Sequence, residues 1–154
     1  MRIWLHSMLR HPALQLSLFW SATLLGIVWA APLTLAGCML AAPVALFRGH
    51  AQVMRGHTVA ILVRGPVADY LLRRHPFGAM NAMALGHVVI CTRDGLSSRV
   101  LTHELVHVRQ AACWGIFFPF AYLASSAWEA LRGRDPYWHN RFEIAARKAE
   151  KHAM

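Results

Sequence analysis

The chain has 154 residues, enough for one domain with a modest core or for a smaller domain behind a membrane anchor. Apolar residues make up 56% and charged residues only 15%, with a mean hydropathy of +0.35, a balance short of charge for a soluble protein. The net charge of +9 comes from scattered arginines with no reading motif, so nucleic acid is not expected and an anionic bilayer surface is the expected contact.

Cys38, Cys91 and Cys113 form no CxxC pair and no regular framework, which argues against a disulfide scaffold. Residues 13–47 contain no Asp, Glu, Lys or Arg, a run far longer than a soluble core helix needs. Ala30 and Ala31 offer small residues for signal cleavage, but Pro32 follows and the apolar run continues. Leu35-Ala36-Gly37-Cys38 has the form of a lipoprotein box, yet apolar residues follow where a polar tether would begin. A retained anchor fits best, with residues 14–31 as one span and residues 33–47 as a second short span or a buried return, broken near Pro32. Arginines on both sides of the run, at Arg2 and Arg10 and at Arg48, Arg55 and Arg64, favour a hairpin with both ends in the cytoplasm.

After Gly49 short β-like runs begin. Residues 58–63 read as a strand closed by Gly65-Pro66, and residues 67–74 as a short helix or turn stopped before Pro76. Residues 87–92 read as a second strand between Gly86 and Asp94-Gly95, with His87, Val89 and Cys91 on one face. His87 is read as a hydrogen-bonded residue at a strand edge rather than a metal ligand.

Ser97 or Ser98 is placed to cap a helix that runs to about Trp114. Leu101, Leu105, Val108 and Ala112 give it an apolar stripe, with His103, His107 and Ala111 on another face. The uncharged run 114–128, interrupted by Pro119, reads as a buried or membrane-surface segment. Asp135-Pro136 has the form of a helix start, and the residues beyond it become polar enough for a solvated helix.

The chemistry concentrates in His103-Glu104-Leu105-Val106-His107. Four-residue spacing puts both imidazoles on one helical face, where they can bind one Zn²⁺, and leaves Glu104 beside the metal as a general base. A catalytic zinc needs a third protein ligand. No Gly or His follows within residues 108–113, which excludes the metzincin pattern. The remaining donors are Glu129, Asp135, Glu143 and Glu150, with His139 as a nitrogen alternative. Glu143 is favoured because Phe142 and Ile144 imply a packed helix in which a carboxylate needs a partner, and Glu129 comes next. A capping box from Asn140 to Glu143 is the competing account of that glutamate.

His-Glu-Leu-Val-His resembles the zincin metallopeptidases, and a downstream helical glutamate makes the chain similar to the gluzincin branch. Residues 102–110, Trp114-Gly115, residues 133–137 and residues 140–145 also resemble small bacterial membrane-associated proteins with this motif. The resemblance covers roughly the C-terminal third. It implies His103, His107 and Glu143 as zinc ligands, Glu104 as the base, and the strand at residues 86–91 as the edge strand that holds extended substrate. Several membrane gluzincins carry an aspartate four residues after the ligand glutamate, where this chain has Arg147.

The expected architecture is therefore α+β. Residues 1–48 form a membrane anchor of one span or a short helical hairpin, and residues 49–154 a minimal zincin-like domain of short strands, an active-site helix and a C-terminal helix. The expected function is a membrane-anchored zinc metallopeptidase acting on a peptide or protein substrate, with Tyr137 or His139 as oxyanion or supporting residues. The expected location is a bacterial inner membrane with the catalytic domain in the cytoplasm. The alternatives are a non-catalytic zinc-stabilised membrane protein and a membrane-surface partner-binding module.

Overall fold

The computed structural model describes residues 21, 23–56, 58–76 and 78–152. Its helices are α1 (Thr23–Trp29), α2 (Ala31–Leu46), α3 (Pro66–Arg73), α4 (Ser98–Trp114), α5 (Phe118–Leu131) and α6 (Arg141–His152), with a 3₁₀ turn at Gly115–Phe117. The strands are β1 (His50–Met54), β2 (Ala60–Arg64), β3 (Ala82–Leu85) and β4 (Val88–Cys91). The architecture is α+β.

The four strands form one sheet in the order β1-β2-β4-β3. β1 runs antiparallel to β2, β2 parallel to β4, and β3 antiparallel to β4. The alternation of strand side chains assigns the two faces. Val63, Val88 and Ile90 meet Ala41 and Val44 of α2 and Ala68 and Leu72 of α3. On the opposite face Ala60, Leu62, Val89 and Cys91 meet Val108 of α4. The sheet is thus covered by helices on both sides, and the central strand β4 is buried along its whole length.

β2 and β4 correspond to the two runs of β-branched residues in the sequence. β1 and β3 carry weaker signals, and their strand state comes from pairing with those two centres. One expectation is corrected here: the strand near residues 86–91 is interior, paired on both sides, and the edges are β1 and, beside β4, β3. The β3–β4 turn depends on Gly86, whose φ is +59° and whose Hα direction faces the Thr34 backbone; a Cβ there would lie 2.3 Å from Thr34 N. His87, next in the turn, donates its backbone N–H to Thr34 Oγ1 at 3.1 Å and brings its ring Nδ1 to 3.3 Å from the same hydroxyl. Burial lowers its imidazole pKa.

Of the segment expected as a membrane anchor, residues 1–20 and 22 lie outside the described residues. Its described part is helical with a break at Ala30, just ahead of Pro32, as a proline at the start of a helix permits. Among the described residues no single helix is long and apolar enough to cross a membrane; α1 and α2 pass that test only together, bent by 69°. Gly37, Ala41 and Val44 of α2 are buried against the sheet and Leu33 among Ala111, Phe118 and Phe142, while Leu35, Met39 and Leu46 are exposed.

Candidate metal centre

Ser97 starts α4 by accepting the Val100 N–H on its hydroxyl at 3.2 Å, a capping bond that satisfies one otherwise orphaned donor. The helix runs from there across the sheet. Its most buried residues are Glu104, His107, Val108 and Ala111. The expected packing stripe of Leu101, Leu105, Val108 and Ala112 is only partly the buried one, because α5 and α6 cover the histidine face as well.

His103 and His107 point their Nε2 atoms at each other across 3.0 Å. Glu143, from the first turn of α6, sets Oε2 at 3.2 Å from His103 Nε2 and Oε1 at 3.2 Å from His107 Nε2. Ligands about 2.0–2.1 Å from a tetrahedral ion are separated by roughly 3.3 Å, so the spacings suit a common ion. These three side chains could hold a metal ion. The chemistry of the site agrees, since Glu143 is 2% exposed and its Oε2, facing His103 Nε2 at 3.2 Å and Arg147 Nη1 at 3.8 Å, completes no well-aligned hydrogen bond. A buried carboxylate of that kind needs a cation or a donor.

The outer nitrogens are also held. His103 Nδ1 lies 2.6 Å from Glu150 Oε1, and His107 Nδ1 lies 2.8 Å from Gln110 Oε1. An oxygen acceptor on Nδ1 fixes the tautomer that leaves Nε2 free for a metal. Glu150 is itself steadied by Arg99 Nε at 2.6 Å, and Gln110 donates to the Phe142 carbonyl at 3.1 Å. Tyr122 OH donates to Glu143 Oε1 at 2.8 Å. Phe118 and Tyr122 pack against His107, and Phe142 packs against both of them.

The electrostatics follow from this crowding. Burial opposes ionisation of Glu143, yet hydrogen bonds to His103, His107 and Tyr122 outweigh it and hold the carboxyl well below its usual range. Burial likewise opposes charge on His103, but Glu143 and Glu150 raise its pKa. Glu104 moves the other way: burial, against the pull of the two histidines and the Ala84 N–H, raises its pKa. That environment suits a proton carrier.

The centre opens on a cleft of about 400 Å³ whose walls include Met83 and Leu85 of β3, Glu104, Phe118, Leu123 and Tyr137. A second recess of about 350 Å³ continues past His103 and Glu104 towards Arg99, Trp138 and Arg147. The edge strand β3 therefore borders the metal centre.

Among the sequence candidates, His103, Glu104, His107 and Glu143 come together, with Tyr137 beside them. Burial and the nearby Glu143 push the Tyr137 phenol up to about 12, so it remains a neutral donor at ordinary pH. His139 sets Nδ1 3.3 Å from the Asp135 carbonyl within its own turn. Glu129 pairs with Arg134 at 2.8 Å and does not belong to the metal-holding group. The capping-box account of Glu143 is not what the fold adopts, since Asn140 Oδ1 accepts from Phe142 N at 2.9 Å and Glu143 turns inward.

Gln110, Tyr122 and Glu150 were not assigned these supporting roles from sequence. Gln110 lies three residues after His107, and that helical spacing was the one available signal. Glu150 lies seven residues after Glu143, on the same helical face. Arg147, four residues after Glu143, sets Nη1 3.8 Å from Glu143 Oε2, donates to the Trp138 carbonyl and stacks on the Trp138 ring at 4.4 Å. No known protein family matches the chain, and no curated protein or solved structure is similar to it.

Proposed function

We propose that the protein is a membrane-associated zinc-dependent peptidase. The observation that carries this reading is the convergence of two imidazole Nε2 atoms and one glutamate carboxylate beside a buried Glu104, with both Nδ1 atoms held by oxygen acceptors. Three nitrogen and oxygen donors beside an open cleft fit catalytic zinc better than a closed structural site.

His103, His107 and Glu143 would hold the zinc, which when bound supplies Lewis-acid polarisation of a carbonyl and acidifies water. Glu104 takes a proton from the attacking water as its oxygen bonds to the peptide carbonyl carbon. The C–N bond then breaks, and Glu104 returns that proton to the leaving amine, which leaves one new carboxyl group and one new amine. Tyr137, which lines the cleft beside Glu143, would donate a hydrogen bond to the developing oxyanion. β3 lies at a sheet edge among the described residues, and although its Ala84 N–H is engaged by Glu104, its remaining outward groups would let an extended peptide pair with it, which favours a peptide over a compact substrate.

The apolar run and the arginines on both sides of it support placement in a bacterial inner membrane with the catalytic centre on the cytoplasmic side. The experiment compares the full-length protein with Glu104→Gln for zinc content and cleavage of a peptide library. Full zinc occupancy with cleavage reduced by about 10²–10⁴-fold is expected. Equal cleavage by both proteins would overturn the catalytic role, and absence of bound zinc in both would overturn the metal reading.

A further inference from the structure

The least explained surface is on α5. Only Phe118 of its fourteen residues is buried, although the helix is apolar nearly throughout. Phe117, Phe120, Ala124, Ala127, Trp128 and Leu131 are all exposed, Phe120 at 68% and Leu131 at 84%. Their spacing of three and four residues makes them one continuous helical face. No charged residue interrupts that face. The opposite side carries Phe118, Tyr122 and Glu129, which are turned towards the domain.

Two further observations say what covers this face. First, cations gather at its C-terminal end. Arg132 lies over the Trp128 ring at 5.5 Å, Arg134 follows, and Arg141 begins α6 beside Ser125, its backbone N–H 3.2 Å from the Ser125 hydroxyl. Two acids lie here as well, Glu129 paired with Arg134 and Asp135 accepting from Tyr137 N and Trp138 N, so three arginines against two acids leave the end cationic by one charge. Second, the N-terminal end is continuous with the apolar N-terminal helices. Gly115, at φ +56°, admits the Trp29 ring so closely that a Cβ would lie 2.6 Å from it, and Trp29 meets Phe117 at a centroid distance of 6.2 Å. Leu24, Leu25 and Val28 of α1 are exposed alongside.

We infer that α5 and the 3₁₀ turn before it dock on an anionic lipid bilayer, lying in the interface with the Phe117-to-Leu131 face in the acyl region and the arginine end among the phosphates. An apolar face with aromatic residues and a basic border is the composition of an interfacial helix. A protein partner of matching shape would be expected to answer the charge on Arg132 and Arg141 with acids, whereas a bilayer answers it with headgroups along the whole border. Pro119, Tyr122 and Leu123 of the same helix line the metal cleft, so docking sets the cleft mouth at headgroup level. The inference does not depend on zinc or on peptidase activity.

Site-directed spin labelling of the full-length protein tests it. The exposed Cys38 and Cys113 are replaced by serine, buried Cys91 is retained, and a label is placed singly at Phe120, at Leu131 or, as a water-facing control, at Val53 of β1. In vesicles of phosphatidylcholine with phosphatidylglycerol, the ratio of oxygen to nickel-chelate collision rates at Phe120 and Leu131 should exceed that at Val53 by about threefold or more, as for acyl-embedded labels. Replacing phosphatidylglycerol by phosphatidylcholine should lower the ratio at both sites. Nickel-dominated collisions at both sites would show a water-facing helix and overturn the proposal. Labels shielded from both reagents would show a protein interface and overturn it equally. A ratio indifferent to lipid charge would overturn the role of the arginine border. Because all three labelled positions are exposed, the substitutions leave the core intact.

Discussion

Glu150 Oε1 sits 2.6 Å from His103 Nδ1, a contact between residues 47 apart in sequence, while the other nitrogen of the same ring turns towards His107 and Glu143. A carboxylate on Nδ1 increases the donor strength of Nε2 and fixes its direction. Replacing Glu150 by Gln should therefore weaken zinc binding by about tenfold to a hundredfold, read by competition with a chromophoric chelator. An unchanged affinity would show that the contact does not support the metal.

Glu143 is the donor that distinguishes a three-ligand centre from a histidine pair. In Glu143→Ala the two imidazoles keep their positions on α4, but a ligand is lost, so zinc stoichiometry in purified protein should fall well below one per chain. His103→Ala should do the same. Full stoichiometry in either variant would move the metal site elsewhere. Stripping zinc from the wild-type protein should also lower its thermal midpoint, and returning the ion should restore it.

Tyr122 and Tyr137 approach the same carboxylate from different elements, and their predicted effects differ. Tyr122→Phe removes the hydroxyl donor 2.8 Å from Glu143 Oε1 and should reduce zinc affinity several-fold, up to about tenfold. Tyr137→Phe should leave zinc affinity nearly unchanged and lower kcat by about tenfold to a hundredfold, as expected for loss of an oxyanion donor. If both variants shifted metal affinity alike, Tyr137 would be a supporting residue rather than a catalytic one.

Away from the centre, Asp69 joins α3 to the chain after β4. Its Oδ1 accepts Arg93 N at 2.9 Å, and its Oδ2 meets Arg93 Nε at 2.7 Å. Burial favours the neutral acid, but the two Arg93 hydrogen bonds and its charge prevail and lower the Asp69 pKa below 3.8. A depressed folded-state pKa stabilises the fold above the unfolded value and loses that contribution as pH falls through the folded value. Asp69→Asn should therefore cost about 1–2 kcal/mol near neutral pH. Its deficit relative to wild type, measured by denaturant unfolding, should shrink only below about pH 4. A deficit that did not change with pH would mean that packing rather than ionisation carries the effect.

Much of the local structure was legible because its causes are local. Ser97 ahead of an apolar-periodic run marks the start of α4, and four-residue spacing alone puts His103 and His107 on one side of it. The β-branched runs in β2 and β4 announce two central strands, and the lack of charge through residues 13–47 and 114–128 marks surfaces that avoid water. Two of the three candidate donors, with the base between them, can also be read from five consecutive residues. What the tertiary structure decided depends on residues far apart in the chain. Helical packing of α6 against α4 selects Glu143 over Glu129, and brings Glu150 to His103 through a two-turn repeat that has no meaning until the two helices face each other. β3, a short run without β-branched residues, becomes an edge strand because β4 pairs with it, which displaces β4 from the edge to the interior. The same placement leaves one side of α5 facing inward, on the domain and its cleft, and the other covered by none of the described residues. Periodicity specifies that a helix has faces, and only the neighbours brought by the fold determine what each face meets.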